Sequence, residues 1–249
     1  MNPTASRRAL REALRTFPLW LVVLVAQPAM AQQVVEDQGI AFELTPYVWS
    51  FGVGGDVVIN GQPFPLDFSL GDAFKFDNIG VSAQLELRER AFTLIASGSY
   101  VGVKADSASV RFDSDQYVLQ GFLGYRIAGG LDVLIGGRYF NVSAKLTQGT
   151  EVDAREQDWI DFVAGLRYEW ALSDKWFLRF KGDVGGSTSG DSSSWSLGAS
   201  GYYRFLNNLA VALQYQLVSI KYETGQGPTK FLYDLNFAGP GLGLMFYVY

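Results

Sequence analysis

Twelve charged side chains share the polar face of segments that alternate apolar and polar residues: Glu86, Arg88, Arg126, Asp132, Arg138, Asp161, Arg167, Glu169, Arg179, Lys181, Asp183 and Arg204. Acids and bases of one parity on neighbouring strands lie within cross-strand reach, and such a set can do one of three things. Paired, with Arg126, Arg138, Arg167, Arg179 and Arg204 held by Glu86, Asp161, Glu169 and Asp183, it fills an enclosed space, because an unpaired buried charge is costly and the guanidinium fork takes a carboxylate through two parallel bonds. Unpaired around water, it is a charged constriction that selects solutes. Asp161 and Asp183 could in principle divide acid and base work between them. Little else competes. The chain has no His and no Cys, so a Ser–His dyad and a thiolate metal site are both excluded. Gly52-Val53-Gly54-Gly55 is not followed by the Lys-Ser/Thr and helix start that a phosphate cradle needs. No catalytic residue, cofactor or metal is therefore expected.

The elements that carry these residues read as strands. On one face Trp176, Leu178, Phe180 and Val184 alternate with Arg179, Lys181 and Asp183 on the other. Trp195, Leu197, Ala199, Tyr203 and Phe205 alternate with Ser194, Ser196, Ser200, Tyr202 and Arg204, and Leu209, Val211, Leu213, Tyr215 and Leu217 with Ala210, Ala212, Gln214 and Gln216. This period of two predicts ten strands, at 40–53, 78–89, 91–104, 115–128, 131–146, 157–170, 175–187, 194–206, 208–222 and 232–249. Most exceed the ~5–6 residues of an ordinary strand and reach the ~9–11 that a tilted membrane strand requires. Short turns at Arg88-Glu89-Arg90, Ala128-Gly129-Gly130, Leu172-Ser173-Asp174-Lys175 and Leu206-Asn207-Asn208 alternate with longer loops near 54–77, 105–114, 147–156, 188–193 and 223–231. Short turns at one rim and long loops at the other describe an all-β, up-and-down antiparallel transmembrane β-barrel. Segment 54–77 extends the first hairpin, folds inward as a plug, or adds two strands for a total of twelve; extension is the favoured reading.

Residues 1–31 read as an export leader, leaving a barrel domain over 32–249. Arg7, Arg8, Arg11 and Arg15 precede the apolar run Leu19–Ala26, and Ala29-Met30-Ala31 supplies the small-x-small cleavage pattern. Without the leader, sixteen basic residues face twenty-four acidic ones, a net charge of −8, which offers nucleic acid no basic face. Three features turn the apolar face toward lipid rather than toward a soluble core. It stays free of charge, where Lys or Arg at mid-bilayer costs ~2–4 kcal/mol. Aromatics gather at the strand ends, with Phe92, Tyr125, Tyr168, Trp170, Trp176, Tyr203 and Phe205 near the short turns and Tyr100, Tyr117, Tyr139 and Trp195 near the loops, as girdles at two headgroup layers do. The last residue is Tyr249, in register with Tyr247 and Met245, a terminal aromatic strand of the kind that outer-membrane assembly machinery reads. A monomer in contact with outer-membrane lipid and lipopolysaccharide is expected.

Thr45-Pro46-Tyr47-Val48-Trp49, Gly165-Leu166-Arg167-Tyr168, Gly201-Tyr202-Tyr203-Arg204-Phe205 and Gly239-Pro240-Gly241-Leu242-Gly243 resemble recurring blocks of a large, mostly uncharacterised group of Gram-negative outer-membrane β-barrel proteins. The resemblance covers nearly all of the mature chain. It implies the barrel and the outer membrane, and no activity, because each block belongs to the architecture. Two readings of function follow. One is an envelope-structural barrel, or one giving limited passage to small solutes through a largely filled, charged lumen. The other is adhesion or binding through the outer loops, where Ser187–Ser194 is flexible and polar and Glu151, Asp153, Glu156 and Asp158 are acidic. These loops could equally be solvated connections. Outer-membrane enzymes commonly rest on a His, so catalysis is not expected.

Overall fold

The period of two is realised in a single antiparallel sheet. A computed structural model describes residues 40–66, 78–106 and 110–248; the leader and Tyr249 lie outside the described residues. The strands are β1 (Ala41–Ser50), β2 (Gly52–Ile59), β3 (Gln62–Leu66), β4 (Ile79–Glu89), β5 (Phe92–Asp106), β6 (Val110–Ala128), β7 (Leu131–Gln148), β8 (Glu151–Ala171), β9 (Trp176–Gly186), β10 (Ser192–Leu206), β11 (Leu209–Thr224) and β12 (Phe231–Val248). From β4 to β12 each strand pairs with the next, and β1 pairs with both β4 and β12. Ten strands thus close a barrel and leave its wall no free edge at the level of β1.

Of segment 54–77, residues 67–77 lie outside the described residues, and the rest combines the three readings allowed for it. β2 keeps the register of β1 against β12, with Trp49 opposite Gly241 and Gly52 opposite Ala238, so it extends the first strand. The chain then reverses at Asn60-Gly61, with φ of 52° and 80°, the left-handed pair that a two-residue hairpin turn requires. β3 returns along β2, which brings the sheet to twelve strands, and its Pro63 and Pro65 suit an edge strand. The tip also goes inward. Asn60 is hydrogen-bonded to Asp153 and Arg155 of β8, the strand opposite β1 in the ten-membered ring, so the two can meet only across the mouth.

The chemical character of the two faces exchanges part-way up the wall. In the lower part of β7, Val133, Ile135 and Tyr139 point out while Asp132 and Arg138 point in; farther up, Asn141, Ser143 and Lys145 point out while Phe140, Val142, Ala144 and Leu146 are buried inside. β6 changes in the same way, from outward Leu119, Leu123 and Tyr125 to outward Arg111, Asp113 and Asp115 with Phe112 inside. The exchange falls at Tyr100, Tyr117 and Tyr139, the girdle expected near the loops. Below it the outside is apolar, as lipid requires; above it the outside is polar and the inside apolar, as in a soluble protein.

The structure departs from the sequence reading in two places, and this exchange explains the first. The loops expected at 105–114 and 147–156 are mostly strand: β6, β7 and β8 run for 19, 18 and 21 residues and turn tightly at Gly149. The apolar-out pattern stops at the girdle although the strands continue. The second departure lies at the C-terminus, where Met245 and Tyr247 are buried and inward, while Leu244 and Phe246 form the lipid face. The small residues of Gly239-Pro240-Gly241-Leu242-Gly243 have a steric reason. Gly241 and Gly243 point inward opposite Trp49 and Tyr47, and a Cβ on either would come within 3.0 Å of the β carbons of those residues.

Candidate functional site

The side chains that could do chemistry converge in the lower lumen. Period two sends alternate residues of every strand inward, and cross-strand register then stacks acid against base. Asp132 stands between Arg126 of β6 and Arg167 of β8, and it accepts from Arg126 Nε at 2.8 Å and from Arg167 Nη2 at 2.5 Å. Arg167 reaches Glu86 through Nη1 at 2.7 Å, with both side chains only 1% exposed. Arg88 joins Glu86 at 2.8 Å and approaches Glu169 at 3.5 Å. Arg179 donates to Glu169 at 2.8 Å and to Glu43 at 3.1 Å. A second group lies nearer the loops. Arg138 donates to Asp183 at 2.6 Å, Gln120 at 2.9 Å and Ser194 at 3.1 Å; Lys181 sits 3.3 Å from Asp183 and 4.1 Å from the centre of the Phe122 ring.

Two of the expected pairings take another form. Asp161 stands opposite Arg138 in the ladder, yet the Ser192 and Ser194 hydroxyls donate to it, the latter at 2.6 Å. Arg204 lies over the Tyr247 ring, 5.0 Å from its centre. Asp161 thus accepts from two serine hydroxyls, whereas Asp183 accepts from the Ser196 hydroxyl and is paired with Arg138 and Lys181. The sequence reading passed over Glu43, Gln120 and the serines. Glu43 was within reach of the same logic, since it shares the inward parity of Thr45 and Tyr47 on the first strand.

Above the network is a chamber of about 150 Å³. Its walls mix uncharged polar side chains, Ser82, Ser99, Gln84, Gln120, Gln214 and Gln216 among them, with the apolar Ile95, Val101 and Val118, and Arg138, Arg167, Arg179 and Lys181 form its floor. Its ceiling begins with Trp49, Phe140, Ile220 and Phe237, the lower members of an apolar cluster that fills the loop end. Val57, Ile59, Phe64 and Leu66 of the β2–β3 hairpin belong to this cluster, together with Phe112, Val142, Phe231 and Leu235 of the wall. Phe64 stacks on Phe112 at 5.6 Å, and Trp159 of β8 lies flat on Tyr222 of β11 at 4.3 Å. Ion pairs thus occupy the lumen toward the short turns, and a packed apolar cluster occupies it toward the loops.

Residues 78–246 match the family described as outer membrane protein β-barrel domain. The chain belongs to that family. A barrel of this family resides in the outer membrane, which is where the lipid-facing band places this one. Among solved structures, the outer membrane protease OmpT of Escherichia coli is 9% identical, with a TM-score of 0.52 over 86% of this chain and 100% of that one. Ail, the attachment invasion locus protein of Yersinia pestis, is 12% identical, with a TM-score of 0.43 over 85% of this chain and 99% of that one. The translocator domain of the autotransporter NalP from Neisseria meningitidis is 10% identical, with a TM-score of 0.46 over 98% and 96%. At such identities the likeness to OmpT is one of fold. No curated protein matches the chain.

Proposed function

We propose that this protein is a closed, envelope-structural barrel of the outer membrane that does not conduct solutes at rest. The observation that supports this reading is the double closure of the lumen, in which Arg167 with Glu86 and Asp132 lies below the chamber and the hairpin cluster lies above it. A conduit needs a continuous hydrated path, and each closure interrupts one by different physics. Ion pairs with short bonds leave no room for water, and packed apolar side chains exclude it. Refolded protein in a planar bilayer should give no resolved single-channel steps. Removing the hairpin by joining Ser50 to Asn78 through a short glycine linker should still give none, because the ion network remains. Steady conductance steps from the intact protein overturn the reading and make solute passage the leading function.

A second reading, binding through the outer rim, draws on the length of the strands. β8 has 21 residues against the ~9–11 that span a membrane, so about half of it stands outside. From Glu151 to Asp161 it rises above the last β9 pairing, Phe162 with Gly186. Cells producing a variant trimmed between Thr147 and Glu156 should lose any attachment to host cells or matrix while keeping the barrel. Attachment unaffected by trimming removes this reading.

A further inference from the structure

We infer that the chamber is a binding site for a small oxyanion of phosphate size, held over Gly198 by Arg179, Ser200 and Gln214. The register builds the site. Ser200 of β10 is paired with Arg179 of β9 on one side and Gln214 of β11 on the other, so three donors stand in one row, neighbours about 5 Å apart. One row nearer the loops, Gly198 separates Lys181 from Gln216 and contributes no side chain. A Cβ there would meet nothing closer than 3.9 Å, which leaves a hollow directly beside the donors.

Two of the three donors have capacity to spare, while the Ser200 hydroxyl is hydrogen-bonded to Tyr202 and would have to turn to the ion. Arg179 is 6% exposed and uses Nε and Nη2 on Glu169 and Glu43. Its Nη1 is 3.7 Å from Glu86, beyond hydrogen-bond length, and among the described residues it has no acceptor. Gln214 Nε2 is also buried without an acceptor. Both side chains line the chamber, and buried donors of this kind call for a partner. Water could satisfy the donors, but charge balance favours an anion. Below the plug, seven basic side chains (Arg88, Arg126, Arg138, Arg167, Arg179, Lys181 and Arg204) face six acids (Glu43, Glu86, Asp132, Asp161, Glu169 and Asp183) among the described residues. A single oxyanion answers the geometry and the surplus charge together. The 150 Å³ is several times the ~10–15 Å³ that a single water requires, so the chamber has room for such an ion together with water. On the closed-barrel reading proposed above, the ion exchanges only as fast as the plug opens.

Equilibrium dialysis with radiolabelled inorganic phosphate, on protein refolded in micelles at constant ionic strength in chloride, tests this. One phosphate per barrel is expected, displaced by sulfate and not by equimolar chloride, with release slower than from an open site. Gln214→Leu should weaken binding roughly tenfold or more, and Gly198→Val, which fills the hollow, should abolish it. Retained heat-shifted mobility on gels identifies the folded variants; if Gly198→Val fails to fold, the wild-type stoichiometry and Gln214→Leu decide the matter. No binding above the chloride background, displacement by chloride as effective as by sulfate, or binding unchanged in Gln214→Leu overturns the inference.

Discussion

The lower and upper halves of this barrel use the same strands and the same inward parity to solve opposite solvation problems. In the lower half the outside meets lipid, so Leu213 and Leu197 point outward and carry no internal packing; the interior is left to groups that lipid rejects, and these must satisfy one another. In the upper half the outside meets water, so Asp113 and Lys145 take the outward positions and Phe112, Val142 and Leu146 turn in. Hydrophobic burial therefore drives the upper half as it drives any soluble core. In the lower half lipid already receives the apolar surface, and internal specificity falls to hydrogen-bonded charge. Amphipathic alternation sets which residues share a face, and the medium outside sets which face is apolar.

The largest effect should come from removing a charge at the dry centre of the lower half. Arg167→Ala takes from Glu86 and Asp132 the buried cation that bonds them at 2.7 and 2.5 Å and leaves each with its half-buried partner, Arg88 and Arg126. With the two acids at most 1% exposed, the expected loss is ~3–5 kcal/mol. Denaturant unfolding of the refolded barrel in micelles measures it. A loss below about 1 kcal/mol would mean that water reaches the network, and the contrast between an ionic half and an apolar half would become one between a wet half and a dry one.

The lower half was the more legible of the two in the sequence. Alternation such as Trp176-Phe177-Leu178-Arg179-Phe180-Lys181 carries both the strand and its faces, and parity placed all twelve charged residues inside. Pairing was harder to read, because it depends on which strands lie side by side at each height. Asp161 meets Ser192 and Ser194 from β10, a strand two places away around the wall. The upper half was misread because the test for a membrane strand is an apolar outward face, and past Tyr117 and Tyr139 that test fails while the strand continues. Reading Phe140, Val142, Ala144 and Leu146 as inward continuations of Arg138 would have found the plug. The dipeptide Asn60-Gly61, a strong hairpin signal, marked the tip of the lid.

A smaller effect, and a more direct one, separates the halves on a single strand. Leu213 and Ser219 both point outward from β11, on opposite sides of the exchange. Leu213→Arg places a charge in lipid and should hinder insertion by ~2–4 kcal/mol. Ser219→Arg places it in water, within about 0.5 kcal/mol of neutral. Folding yield into vesicles against urea reports both. Equal responses would mean that the membrane boundary does not lie between these two positions.

The smallest effect concerns the latch that holds the lid. Asn60 donates to Asp153 at 2.9 Å and accepts from Arg155 Nε at 2.8 Å, and it sits at φ 52°, a conformation that glycine adopts without strain. Asn60→Gly therefore removes both bonds while keeping the turn, and should weaken hairpin docking by about 1 kcal/mol. That loss belongs to the upper half alone, because the ring of paired strands below does not depend on the tip. Hydrogen exchange at the amides of Val57 and Ile59 should quicken by roughly fivefold, with the global unfolding midpoint unchanged. Asn60→Ala loses the same bonds and adds a left-handed β carbon, so its exchange should quicken further. If the glycine variant exchanges at the wild-type rate, the apolar contacts of Phe64 and Ile59 hold the lid without a latch. If instead the global midpoint falls with it, the two halves unfold as one unit, and the boundary between them is chemical but not energetic.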